Sequence, residues 1–271
     1  MPSKNGEPLK GTYHMKKYLL GAAAALAIAA PGVASAQQGY VDLGYSTGEV
    51  EAFGSSADVE GWQAGGAAAF GGNGGLGFQL DGVFGNSEVD GGDDIDSYTI
   101  GGHVFTRNES FLIGGFANYG NSDDGTDELD YWTLGAEGQL YLSRTTIDGA
   151  VSYSEADDDG GELTALDLGL THFITDNFSL GGGVGFGNAD VAGTDVDAVN
   201  LGVSGEYQFS AMPISLFAGY SHGEVDDFDV EADAFTLGVR YNFGSGSLFE
   251  RNRSGASLSR GGGFGRYAGL L

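Results

Sequence analysis

The chain has 271 residues, no cysteine, 51 glycines and a formal charge of −27. Without Cys it can form no disulfide, thiolate metal site or cysteine nucleophile, and so large an acidic excess excludes nucleic acid as a partner, because phosphate binding needs clustered Lys and Arg. Hydrophobic residues at 41% and aromatics at 12% are too much apolar material for a disordered chain.

The first predicted element is a leader. Lys16 and Lys17 precede an apolar run from Leu19 to Ala30, then Pro31-Gly32-Val33 and Ala34-Ser35-Ala36. A basic n-region, a short h-region and an A-x-A site follow one another as secretion requires, and the run is too short to span a bilayer as a helix. Cleavage specified by Ala34 and Ala36 starts the mature chain at Gln37. Met15 fits the start of this signal peptide (15–36), which leaves residues 1–14 as an upstream extension. All four lysines precede Gln37, so segment 37–243 carries Arg107, Arg144 and Arg240 against 36 acids.

From Tyr40 onward one pattern repeats twelve times. Val41, Leu43 and Tyr45 alternate with Asp42, Gly44 and Ser46; Leu76, Phe78 and Leu80 alternate with Gly77, Gln79 and Asp81; Val199, Leu201 and Val203 alternate with Asn200, Gly202 and Ser204. Period two means strand, with one apolar and one polar face. The runs predict strands at 38–46, 59–70, 75–86, 97–107, 111–120, 130–142, 146–154, 163–172, 178–187, 197–209, 213–221 and 233–243. The breaks between them alternate too. Short ones such as Asn108-Glu109-Ser110 and Thr175-Asp176-Asn177 take turns with six longer ones that, with the strand ends beside them, hold 28 acids and no Lys or Arg. Short turns at one end and long polar loops at the other describe an up-and-down barrel in an outer membrane.

Three features turn the apolar face toward lipid rather than toward a sandwich core. The polar face is rich in Gly, Ser, Thr, Asn and Gln, which suits a wet lumen. Aromatics gather in two belts: Trp62, Phe84, Tyr98, Tyr119, Trp132, Tyr153, Tyr220 and Phe235 near the long breaks, and Phe70, Phe111, Phe178, Phe209 and Phe243 near the short ones, as two membrane interfaces select. No open sheet edge survives in lipid, so an even, closed set of strands is required, and twelve satisfies it.

The last strand reads Thr236-Leu237-Gly238-Val239-Arg240-Tyr241-Asn242-Phe243. With Gly238, Tyr241 and Phe243 placed as they are, it is similar to the C-terminal signal of outer-membrane barrels. Residues 37–243 thus resemble the bacterial outer-membrane porin-like β-barrel family. The resemblance implies a transmembrane up-and-down antiparallel β-barrel, integral to the outer membrane and inserted by the barrel-assembly machinery. Lipid and lipopolysaccharide are then its surroundings, and a homo-oligomer is compatible with the family. One departure stands out: the chain continues for 28 residues beyond Phe243.

Alternation points Asp42, Asp81, His103, Glu137, Asp148, Asp167, Glu206 and Arg240 into the lumen, with Arg107 at its turn-side rim. Twelve strands about 4.8 Å apart and tilted about 40° enclose a space roughly 24 Å across between backbones. With about 5 Å of side chain per wall and a glycine-rich lining, space for a narrow aqueous path remains. The expected function is passive diffusion of small solutes with a preference for cations; the alternative is a non-conducting structural or surface-interaction barrel acting through its acidic breaks.

No catalysis is expected. Outer-membrane phospholipases resemble this scaffold, but no Ser/His/Asn arrangement surrounds His172. His222 with Glu224 or Asp226 reads more simply as a solvated loop histidine than as a protease site. No cofactor is expected, and Ca2+ or Mg2+ would be held loosely at the acidic breaks, since their spacing matches no ordered site. The tail, Gly244 to Leu271, carries Arg251, Arg253, Arg260 and Arg266 against Glu250 and is rich in Gly and Ser. It reads as a flexible periplasmic extension, or as a latch whose arginines enter the acidic lumen or bind the cell wall.

Overall fold

The computed structural model describes residues 38–72, 74–92, 94–157, 161–191, 193–225 and 230–259. The signal peptide with Ala34 and Ala36, together with Asp226, Arg260 and Arg266, lies outside the described residues. Twelve strands follow in chain order: β1 (Gln38–Ala52), β2 (Ser55–Gly71), β3 (Leu76–Val89), β4 (Asp94–Arg107), β5 (Phe111–Asp123), β6 (Glu128–Leu142), β7 (Thr145–Ala156), β8 (Glu162–Thr175), β9 (Phe178–Val191), β10 (Thr194–Gln208), β11 (Ile214–Val225) and β12 (Val230–Phe243). Each pairs antiparallel with its neighbours in sequence, and β12 returns to β1 to close the barrel. At that seam Gly39 faces Phe243 and Asp42 faces Arg240.

The strand count matches the alternation, but the strands are longer than the twelve predicted runs. They reach 17 residues in β2, and the connections at both ends are tight: two residues at 53–54 and four at 124–127 on one end, two at 143–144 and at 176–177 on the other. The expected contrast between short turns and long loops is therefore corrected. The acid-rich breaks are mostly strand. In Asp195-Val196-Asp197-Ala198 and in Glu162-Leu163-Thr164-Ala165 the acids are exposed while Val196, Ala198, Leu163 and Ala165 are buried inside. Period two continues through these segments, but its chemistry is inverted. In the middle of the barrel the outward face is apolar, with Leu43, Leu80, Leu134, Leu168, Leu201 and Leu237 all exposed. Toward the β1–β2 end the outward face becomes acidic and the inward face apolar, as suits a wall that has left lipid for water.

Acids therefore meet acids across strands at this rim: Glu49 with Asp58, Glu60 with Glu88, Glu155 with Glu162 and Glu162 with Asp190. Like charges so placed repel. Just below them the outward aromatics pair along the girdle, Trp62 with Phe84 at 5.5 Å between centroids and Trp132 with Tyr153 at 5.6 Å. A second group, Phe178, Tyr207 and Phe209, packs at the turn end.

After Phe243 the chain turns into the barrel. Gly244 makes the reversal at φ +76, a left-handed conformation that a side chain would disfavour. A short helix, α1 (Leu248–Ser254), follows. Ser247 caps it by accepting from the Glu250 amide at 3.1 Å, and the Glu250 carboxylate accepts from the Gly246 amide at 2.7 Å, a variant of the reciprocal Ser-x-x-Glu cap. Leu248, Ala256 and Leu258 are buried. Over residues 244–259 the flexible reading of the tail is thus corrected, because capping and apolar burial order the segment inside the mouth.

Candidate permeation path

Two charged clusters stand in the lumen, one on β3, β4 and β6 and the other on β1, β10 and β12. In the first, the His103 imidazole stands between two carboxylates, Nε2 2.8 Å from Asp81 Oδ2 and Nδ1 2.7 Å from Glu137 Oε1. The Phe116 ring stacks on it at 5.6 Å. Both ring nitrogens are engaged in opposite directions, so the trio does not converge on a point where a metal ion could sit. Gln79 donates to Asp81 Oδ2 at 3.0 Å.

In the second, the Arg240 guanidinium donates to Asp42 Oδ2 from Nε at 3.0 Å and from Nη2 at 2.7 Å, and to Glu206 Oε2 from Nη1 at 2.6 Å. It lies 4.2 Å from the Tyr40 centroid and 4.9 Å from that of Phe217, close enough for cation–π attraction. Gly238 is small for a reason: a Cβ there would stand 2.1 Å from Phe217 Cζ.

The wall between them is rich in glycine. Gly169 of β8, Gly181, Gly183 and Gly185 of β9 and Gly202 of β10 present backbone to the interior, and a cavity of about 410 Å³ lies against them. Glu137, Asp148 and Asp167 also line it, and no Lys or Arg does so among the described residues. Asn200 joins this cavity to a vestibule of about 470 Å³ at the acidic end, lined by Ser46, Gln63, Ser97, Thr99 and Ser221. Gly181 and Ser204 join it to a third, of about 340 Å³, toward the turn end beside Glu206 and Arg251. The interior is thus a staggered chain of cavities rather than a central bore, with the vestibule mainly against β1–β5, β11 and β12 and the middle cavity against β6–β10.

All eight residues expected in the lumen face it. Asp42, Asp81, His103, Glu137, Glu206 and Arg240 are drawn into the two clusters, whereas Asp148 and Asp167 stand with Glu137 on the glycine-walled cavity. Arg107, expected at the rim, is buried with its guanidinium over the Phe105 ring and its Nη2 donating to Ser257 at 3.0 Å. Two features escape the alternation. The first is an apolar cluster inside the acidic end, in which Tyr131, Leu163, Val196 and Val225 pack together with Ala156, Ala165, Ala189 and Ala198. The second is the tail, whose signal was present in Ser247-Leu248-Phe249-Glu250 and in Gly255 beyond the helix.

Arg251 of α1 donates twice to Glu206, at 2.8 and 3.1 Å, and also to Asn242. Thr146 donates to Asn252 at 2.6 Å, Gln139 exchanges hydrogen bonds with Ser257 at 3.0 Å, and Gln79 bonds both the amide and the carbonyl of Leu258 at 3.2 Å. Leu258 packs among Phe105, Leu112 and Tyr141, and Ala256 among Tyr40, Ala67 and Ala69. Arg253 donates to the Ser143 and Thr145 carbonyls, and burial lowers its guanidinium from the ordinary arginine value.

The other two described histidines lie away from this interior. His172 is exposed and within 2.9 Å of Thr145 Oγ1. His222 is on β11 rather than in a loop, with Nδ1 3.0 Å from Asp233 Oδ1, and both side chains are partly exposed.

A family model described as Gram-negative porin matches residues 107–249. No curated protein matches the chain in sequence. Among solved structures the chain is similar to an outer membrane channel from Pseudomonas putida F1, with a TM-score of 0.60 and 15% identity over 76% of this chain and 94% of that one. It is also similar to the KdgM porin in complex with disordered oligogalacturonate (TM-score 0.52, 10% identity, 74% and 98% covered). A third likeness is to the translocator domain of the autotransporter NalP from Neisseria meningitidis (TM-score 0.54, 15% identity, 75% and 87% covered). At these identities the likeness is one of fold.

Proposed function

We infer, since the chain belongs to the Gram-negative porin family, that it is a narrow outer-membrane channel through which small cations and small neutral solutes diffuse. One observation carries this reading: the cavities form a series from the acidic end to the turn end, and the middle one is lined by three carboxylates without Lys or Arg among the described residues. Carboxylates in a low-dielectric wall focus the field and raise the local concentration of cations. The acidic rim adds to this at longer range, more strongly in dilute salt, where screening is weak. Nothing in the reading calls for catalysis: a general base needs a positioned partner in a shielded site, and the partly exposed His222–Asp233 contact at the rim is not shielded.

The two charged clusters hold the wall in shape, and selectivity belongs to the acids on the glycine-walled path. The test is the reversal potential across a planar bilayer with a KCl gradient. Cation preference should be clear, steeper at low ionic strength, and reduced more by Asp148→Asn with Asp167→Asn than by Asp81→Asn with Glu206→Gln. Anion selectivity would overturn the reading. The presence of α1 in the mouth favours a second reading, a non-conducting barrel that acts through its acidic rim, and an absence of conductance with and without the tail would establish it.

A further inference from the structure

We propose that residues Gly244–Ser259 are a resident luminal insert that narrows the turn-side half of the channel to a slot against β8–β11 and so sets its solute size limit. This rests on the channel reading above. The insert is built into the wall rather than draped over the mouth. Its side chains and backbone bond to β1 through Gln38, β3 through Gln79, β4 through Arg107, β6 through Gln139, β7 through Thr146 and β10 through Glu206. Leu248 and Leu258 are at most 5% exposed, so apolar burial adds to the polar contacts at both ends of the segment.

At the turn end α1 also meets this wall, where Phe249 packs on Phe173 of β8 at 5.2 Å and donates its amide to the Asp176 carbonyl at 3.0 Å, but deeper in the barrel the contacts leave one sector open. Between Ala256–Leu258 and the opposing wall of Thr171, Gly181, Ser204 and Gly219 lies the 340 Å³ cavity, which shares Gly181 and Ser204 with the glycine-walled one. Ser204 faces inward, in register with Glu206 and Gln208, and yet is exposed, which marks the slot as space rather than packing. Solute passing from the middle cavity to the turn side must therefore move between the insert and β8–β11.

The magnitude follows from the dimensions. A barrel roughly 24 Å across with about 5 Å of side chain per wall has about 14 Å free. A helix about 10 Å across fills roughly half of that section. Removing the insert should then about double the conductance, because conductance scales with the open cross-section. The charge effect runs the same way for cations: Arg251 sits on Glu206, and its loss leaves the slot more acidic.

The experiment compares the full-length protein with a variant ending at Phe243, each refolded and reconstituted in planar bilayers and in liposomes with polyethylene glycols of graded size. The truncated barrel should conduct about two-fold more, admit polymers the full chain excludes, and show stronger cation preference. Two full-length variants decide the matter if truncation impairs folding. Arg251→Ala with Leu258→Ala should loosen the insert and shift conductance toward the truncated value. Gly202→Leu, where a Cβ finds its nearest neighbour at 3.7 Å, should obstruct the path and lower conductance at least two-fold. Equal conductance and equal size limits with and without the insert, or unchanged conductance in both full-length variants, would overturn the proposal while leaving the channel standing. Absence of conductance in every form would overturn the channel reading and the proposal together.

Discussion

Arg240 is the residue whose loss should cost the barrel most. Its guanidinium makes three charge-assisted hydrogen bonds to Asp42 and Glu206, and the Asp42 side chain is only 1% exposed. Arg240→Met keeps an apolar body between the Tyr40 and Phe217 rings but withdraws the positive charge from a buried carboxylate. Breaking a buried pair from one side costs about 3–5 kcal/mol, since the remaining charge stays desolvated. Glu206 retains Arg251, so the penalty falls chiefly on Asp42. The double variant Arg240→Met with Asp42→Leu removes that charge as well and should recover most of the loss. Urea unfolding in detergent micelles, followed by the fluorescence of Trp62 and Trp132, reads both effects in a double-mutant cycle. A single-variant cost below about 1 kcal/mol, the range of an exposed pair, or a coupling indistinguishable from zero would refute the assignment of a buried cluster at the seam.

Orientation is checked by thiol labelling, which the absence of native Cys makes clean. A cysteine at Thr126, between β5 and β6, should react with an impermeant maleimide on intact cells, and one at Glu109, between β4 and β5, should not; reaction of both would contradict the topology. Assembly is checked at the last strand. Tyr241 is exposed on the outer face and the Phe243 ring covers Gly39 across the seam, so Tyr241→Ala with Phe243→Ala should lead to periplasmic degradation, and normal outer-membrane levels would show that the strand is not the insertion signal.

The strand count and the inward residues were legible because period two fixes which face a side chain takes whatever its partners are. Reading stopped where the chemistry of the faces changed places. Residues such as Asp195-Val196-Asp197-Ala198 keep the alternation, but their outward members are acids, so a search for apolar outward residues ends the strand too early. Partners were illegible for another reason. Arg240 and Asp42 are 198 residues apart, and alternation places both inside without saying that closure sets them in register. The tail's helix could have been read from its capping residues, yet its place in the mouth depends on Gln79, Gln139 and Glu206, whose convergence is a property of the closed barrel.

That last dependence fixes an order of events. The residues that hold the tail come from β1, β3, β4, β6, β7 and β10, and so lie on strands from nearly the whole circumference. β12, which precedes the tail, is the strand that completes the seam with β1. The tail's docking surface does not exist while the sheet is open. Seating of Arg251 and Leu258 accordingly follows closure, and a tail still accessible to protease marks a molecule whose wall has not yet closed.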